Sequence, residues 1–180
     1  MVMEYIQGGD LIAAITGGVF ETVSHYEYEE GAAVAASPSS LLAKYIIDTL
    51  GLMTLPSNQE SWPLYISHLP DGDGVEDDCG AVYDTTGIIQ DRLMTGETLQ
   101  RYGIQLRVRS ADYEIGWQKI SSIFEAMDGI SRTSIMMDEI EYMIQNMSKT
   151  SSIIPLGLEE GTKRRYHFTA NFLMTICEII

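Results

Sequence analysis

Two stretches of the chain repeat apolar residues with the period of an α-helix. In the first, Ser37 is placed to cap, Pro38 suits the first helical position and Gly51 fits the end,. The apolar positions between them are Leu41, Leu42, Tyr45, Ile46, Thr49 and Leu50,. This single apolar face predicts a helix that packs on a sheet.

The second helical stretch runs from about residue 111 to residue 128. Ser110 is the expected N-cap, Asp112 falls in the first turn, where negative charge is favoured, and Gly129 ends the helix,. Its apolar stripe consists of Trp117, Ile120, Ile123, Phe124 and Met127,.

Other stretches alternate apolar and polar residues with the period of a β-strand. In residues 104–109, Ile104, Leu106 and Val108 face one way, and Gln105, Arg107 and Arg109 face the other,. The clearest alternation spans residues 165–176. Further strands are predicted in WPLYISHL (62–69), in AVYDTTG (81–87) as a short strand leading into a turn, in EIEYMIQNM (139–147) and in TSSIIPLG (150–157).

The resulting order is α–β–β–β–α–β–β–β. It predicts an α+β fold in which two helices pack on one face of a largely antiparallel mixed sheet. This domain is expected to span residues 37–180.

Residues 1–36 form a different kind of segment. They contain Glu4, Asp10, Glu21, Glu27, Glu29 and Glu30 but no Lys or Arg, and they carry two Gly-Gly pairs,. We interpret them as an acidic N-terminal arm or extension. It is either a loosely ordered tail or an arm that orders against a neighbouring subunit.

The overall charge limits the possible partners. The 180-residue chain has a formal net charge of −15, so most of its surface should repel nucleic acid and anionic membranes,. A signal peptide would have Lys or Arg before its apolar run, and none precedes the first apolar run here, so we expect synthesis in the cytoplasm and no membrane partner,. Cys79 and Cys177 are expected to be free thiols.

No motif for catalysis, cofactor binding or metal binding stands out. The acidic loop Asp71, Asp73, Glu76, Asp77 and Asp78 fails the pattern of an EF-hand, and we expect it to be solvated,. The three histidines, His25, His68 and His167, are dispersed and lack the spacing of metal ligands,. We therefore predict no catalytic, cofactor or metal residues, and no enzyme activity.

Basic residues are scarce but clustered. Arg107 and Arg109 project from one strand face, and Lys163, Arg164 and Arg165 lie together before the last strand. They have two interpretations: salt bridges within the chain, such as Arg109 to Asp112 or Glu114, or contacts with carboxylates of an identical neighbour.

Several weak motifs in a fixed order resemble one known family. They are a VYD-x-x-G turn at residues 82–87, the strand-to-helix junction GIQLRVRSADY at residues 103–113, and a late run that begins LGLEEGTKRRYHFTANF at residue 156. Over residues 37–178 the chain resembles the tail terminator, or tail completion, proteins of long-tailed bacteriophages, often labelled minor capsid proteins.

The resemblance implies a structural protein of the virion. Such proteins form a ring, commonly a hexamer, that caps the head-proximal end of the tail tube, ends its polymerisation and offers a docking surface to the head–tail connector. From the matching strand-to-helix junction, Arg107, Arg109 and Asp112 are then candidate fold or subunit-interface residues. The basic cluster Lys163, Arg164 and Arg165 is a further subunit-interface candidate because of its charge. Six copies at −15 each carry −90, so DNA is expected to pass the lumen without specific binding,.

Two other functions stay open at the level of the sequence. One is a head–tail connector or stopper ring protein on the head side of the joint. The other is a small cytoplasmic α+β enzyme or ligand-binding domain, which would have a defined pocket and no large interface.

Overall fold

The computed structural model describes residues 36–58, 61–72, 74–92, 98–159 and 164–179. The predicted arm therefore lies, except for Ala36, outside the described residues, as do Asp73 and Lys163. The proposed division at residue 36 stays a prediction.

The first helix begins where the sequence predicts and ends in an unexpected geometry. Helix α1 spans Pro38–Lys44, and the Ser37 hydroxyl accepts a hydrogen bond from the Ser40 amide at its N-terminus,. The helix continues as a π-helical turn over Tyr45–Thr49, and Gly51 follows with φ +61°,. A 3₁₀ turn lies at Pro56–Asn58.

Helix α2 spans Tyr113–Ala126. The prediction of Ser110 as its N-cap is wrong. Strand geometry continues through Ser110, whose hydroxyl donates to the Asp78 carboxylate at 2.7 Å. The cap is Asp112, whose Oδ1 accepts from the Ile115 amide at 3.0 Å,. The helix also stops three residues before Gly129.

The described strands form one seven-stranded sheet. Their bounds are β1 Leu64–Ile66, β2 Cys79–Arg92, β3 Thr98–Ser110, β4 Ser131–Met137, β5 Ile140–Lys149, β6 Ile154–Leu158 and β7 Tyr166–Ile179. The order across the sheet is β1-β2-β3-β7-β5-β4, and β6 pairs with the first half of β7. Only the β1–β2 pair is parallel among the described strands, so the predicted largely antiparallel mixed sheet is confirmed.

Two predicted strands have wrong boundaries, and one strand was not predicted. The strand predicted over residues 62–69 shortens to Leu64–Ile66, because Trp62 (φ 66°) and Ser67 (φ 61°) leave extended geometry on either side,. The turn predicted near Asp84 is instead a β-bulge between Thr85 and Ile88, after which β2 continues to Arg92,. Strand β4 was not predicted, since Ile135, Met136 and Met137 do not alternate with polar residues.

Both helices pack on the same face of the sheet, as predicted. Ile104, Leu106 and Val108 of β3 are fully buried, and they belong to the same apolar cluster as residues of α1 and α2. The cluster also includes Phe168, Ala170, Phe172 and Met174 of β7 and Ile120, Ile123 and Met127 of α2. The opposite face of β3 therefore points away from the core and carries the arginines.

Candidate interaction surface

The polar face of the sheet is centred on the arginines of β3. In the strand register, Arg109 lies between Cys79 of β2 and His167 of β7, and Arg107 lies between Ala81 and Thr169. Cys79 is a free, fully buried thiol, and its burial raises its pKa to about 11,.

Arg109 is buried and binds the backbone of its own chain. Its side chain is 2% exposed, and its guanidinium donates to the carbonyl oxygens of Pro70 (2.8 Å), Glu76 (2.9 Å) and Asp77 (3.4 Å). Its described hydrogen bonds thus go to these carbonyls and not to Asp112 or Glu114. Arg109 thus ties the acidic loop to the C-terminal end of β3,.

Arg165 holds the same loop from the other side. It is 2% exposed, and it donates to both oxygens of Glu159 at 2.6 and 2.8 Å and to Asp71 at 2.7 Å. Its Nη1 lies 3.6 Å from Asp77 Oδ1. The loop is solvated as expected, since Asp71 and Glu76 are exposed. It is not free, however, because two buried arginines and the Ser110 hydroxyl tie it to the domain.

These contacts shift the pKa values of the groups involved. Hydrogen bonds from Arg165 lower the pKa of Glu159 below 4.5 and that of Asp71 below 3.8,. Burial lowers the pKa of His167 below 6.5, although Glu159 at 3.4 Å opposes this shift. Burial therefore disfavours the protonated form of His167 and weakens the ionic character of its contact with Glu159.

The other predicted interface residues differ in how much surface they offer. Arg107 is half-buried; its Nε donates to Gln105 at 2.8 Å, and its guanidinium lies 5.1 Å from the centre of the Tyr83 ring,. Arg164 is exposed. Asp112 is used as the cap of α2, and Lys163 lies outside the described residues.

An apolar strand edge adjoins this region. Strand β6 pairs with β7 on one side only within the described part of the chain. It exposes Ile154 (41%), Leu156 (53%) and Leu158 (44%). An exposed, apolar edge strand is a common template for contacts between chains.

Sequence reasoning missed a second basic site. A cleft of about 520 Å³ is lined by Arg101 of β3 and Arg132 of β4 together with polar residues of β5 and β7. Arg101 continues the alternation of Gln105, Arg107 and Arg109 toward the start of β3, so the sequence did contain a signal for it,. Arg132 could not be placed because β4 was not predicted.

Two further properties concern only the described residues. No three His, Cys, Asp or Glu side chains are grouped so that they could hold a metal ion. Neither described helix has both the length and the apolar character needed to cross a membrane.

Comparison with known proteins decides the family. The model of the family described as bacteriophage tail terminator protein matches residues 46–177, more than two-thirds of the chain. The chain belongs to this family. The match includes the VYD-x-x-G and GIQLRVRS motifs and nearly all of β7, so the resemblance seen in the sequence is confirmed.

The tail terminator family is one of structural phage proteins, which gives this chain a structural role in tail assembly and a place in the virion tail. Membership also implies association with other tail or head components. No curated protein matches the chain.

Proposed function

We propose that this tail terminator assembles as a ring of six copies on the head-proximal end of the tail tube. There it ends tube polymerisation and provides the docking surface for the head–tail connector. The observation that carries the proposal is the family match over residues 46–177. Its partners are further copies of itself, the tube protein and the connector, and DNA passes through the lumen without specific binding.

The surface of the domain supports a role based on contacts. The exposed edge of β6 offers backbone groups and three apolar side chains to another protein,. Arg107 and Arg164 offer charged donors, and Lys163 is a further candidate. Arg109, Arg165 and Asp112 would contribute indirectly, because they fix the acidic loop and the start of α2 beside that surface.

The role of Arg109 changes how an interface should be tested. Reversing its charge would remove three hydrogen bonds to buried backbone and place a carboxylate against carbonyl oxygens, so folding would suffer,. Arg107→Glu is the cleaner test of a neighbour contact, since Arg107 is only half-buried.

The deciding experiment adds the purified protein to purified tail tubes and images their ends by negative-stain electron microscopy. We expect a cap on one end only and no further growth when free tube protein is added. Leu156→Glu on β6 should reduce the capped fraction at least tenfold. Ile115→Glu, which alters a similarly exposed side chain on α2, should not.

Binding to DNA-filled heads without binding to tubes would contradict the proposal and favour a connector or stopper. A compact monomer that binds neither structure would contradict both ring functions.

A further inference from the structure

The cleft on the polar face of the sheet contains two arginines whose side chains bind none of the described residues. Arg101 of β3 and Arg132 of β4 line it with Ser131, Met143, Gln145, Asn146 and Thr175. None of these seven lining residues is acidic. The cleft is therefore positively charged in a chain whose formal net charge is −15.

Most other described basic side chains have partners. Lys44 pairs with Asp48, Lys149 with Asp128, and Arg165 with three carboxylates. Arg107, Arg109 and Lys119 donate to Gln105, to loop carbonyls and to the Leu52 carbonyl, respectively.

Arg101 and Arg132, by contrast, have no hydrogen bond or ion pair to any described residue. The Nε atom of Arg101 is buried, and it has no hydrogen-bond partner among the residues that the structure describes. Buried donors in native proteins are nearly always paired, so this donor beside the cleft is available to an acceptor from outside the described residues.

The chemistry of the cleft favours an oxyanion. Guanidinium groups present forked N–H donors that match the two oxygens of a carboxylate, and the neighbouring hydroxyl and amide groups are neutral,. A phosphate would satisfy the same donors. However, a chain of formal net charge −15 repels the continuous row of phosphates that double-stranded DNA carries,. A turn with one or two carboxylates brings far less negative charge, so it is the favoured ligand.

Strands β4 and β5 form a hairpin that carries Arg132 near the start of β4 and two carboxylates at its turn. Strands β4 and β5 are joined by Asp138 and Glu139, which are both exposed and have φ of 50° and 68°. Positive φ at both residues is the geometry of a type I′ turn, in which Asn-Gly or Asp-Gly is usual and Glu is unfavourable. Met136, 55% exposed, lies beside this acidic tip.

The acidic tip, Asp138 and Glu139, cannot reach the cleft of its own chain. Arg132 and Asp138 are six residues apart on one hairpin, which is about 20 Å along an extended strand. A ring needs two different complementary patches on each subunit, because each copy contacts its neighbours head to tail. The cleft and the tip are such a pair.

We propose that the Arg101–Arg132 cleft binds the Asp138–Glu139 turn of a neighbouring copy of this chain. This inference rests on the proposed ring, and it specifies the contact that closes it. In a ring, each subunit would insert its acidic tip into one neighbour and receive the tip of the other.

Charge reversal with mixing tests this arrangement. Arg132→Glu reverses one charge in the cleft and leaves the acidic turn unchanged. Glu139→Arg reverses one charge in the acidic turn and leaves the cleft unchanged. We expect each variant alone to lose at least tenfold in self-association, measured by sedimentation velocity in solution and by occupancy of tube ends. An equimolar mixture should recover association, because the subunits can alternate with every contact complementary.

Lys44→Glu is the matched control, since it reverses one charge on α1, does not line the cleft, and has only the exposed i,i+4 contact with Asp48 among the described residues. It should associate like the wild type. Circular dichroism and thermal melting of every variant will separate loss of contact from loss of fold.

Wild-type association by either single variant, or failure of the mixture to recover it, would overturn the inference. Loss of binding to duplex DNA by Arg132→Glu, with self-association intact, would assign the cleft to phosphate instead. These results are distinct from failure of the proposed function, in which the wild type itself leaves tube ends uncapped. A wild type that associates neither in solution nor on tubes would overturn both.

Discussion

The buried guanidiniums of Arg109 and Arg165 fix the acidic loop in two different ways. Arg109 binds backbone carbonyls, so its contacts do not depend on which side chains the loop carries. Arg165 binds carboxylates, of which Asp71 is 68% exposed and Glu159 is 28% exposed. The charge of Arg165 is thus paired at the boundary with solvent, where screening weakens each interaction but leaves its geometry intact.

We expect Arg165→Met to lower the free energy of unfolding by about 1 to 3 kcal/mol. This is less than for a fully buried ion pair, because solvent reaches the partner carboxylates. Arg164→Met changes the adjacent exposed arginine and should stay within about 0.5 kcal/mol of the wild type,. Urea denaturation measures both, and equal stability of the two variants would show that the loop contacts contribute nothing.

The pH dependence of stability should report the Glu159 contact. Because Arg165 lowers the pKa of Glu159 below 4.5, the folded state binds fewer protons than the unfolded state near that pH,. The stabilisation is therefore fully present above pH 4.5 and is lost as the pH falls through the lowered pKa.

Glu159→Gln should be less stable at pH 7 and should lose less stability between about pH 5 and about pH 2, as followed by thermal melting. Some pH dependence will remain, because Asp71 also has a lowered pKa. Glu125→Gln, a change at an exposed side chain, should keep the wild-type profile. A Glu159→Gln profile parallel to that of the wild type would contradict the assignment.

At the scale of the elements, helix α2 is seated on the sheet through a glycine. A Cβ atom at Gly116 would lie 2.6 Å from Cε2 of Phe168 and 2.8 Å from Cβ of Ser110. Tyr113 and Trp117 flank this contact and pack edge-on against Phe168 at 5.2 and 6.0 Å between ring centres,. The close approach sets the distance between the helix and β7.

Gly116→Ala should therefore destabilise the domain by about 1 to 3 kcal/mol through overpacking, even though Ala is favoured over Gly in a helix by about 1 kcal/mol. Gln118→Ala, at an exposed position of the same helix, is the control. Differential scanning calorimetry would compare the two, and a Gly116→Ala variant that melts at or above the wild-type temperature would refute the tight contact.

Elements whose apolar residues repeat with a regular period could be predicted from the sequence. Features whose geometry depends on tertiary contacts could not. Strands β3, β5 and β7 alternate, and α2 has a continuous apolar stripe, so their burial followed from the sequence. The bulge in β2 depends on a partner strand instead. There a Cβ at Gly103 would lie 2.4 Å from the Thr86 carbonyl oxygen, a contact that no local pattern of β2 reveals.

At the scale of the whole molecule, the sequence located most of the basic residues that shape the surface but not their partners. The acceptors of Arg109 lie more than 30 residues away in a loop that shows no periodicity, and they are backbone carbonyls, which composition does not reveal. Arg101 and Arg132 line one cleft although β7 and β5 lie between their strands in the sheet, an arrangement that no local pattern in the sequence reveals.

The position of β7 in the sheet also controls when the molecule can fold. This strand pairs with β3 on one side and with β5 and β6 on the other, yet it is the last described element along the chain. During synthesis, β3, β5 and β6 cannot complete their pairing until β7 has been made. Such non-local pairings form late and slowly. A partly synthesised or prematurely ended chain lacks the strand that joins the sheet, and thus is not competent to enter a tail.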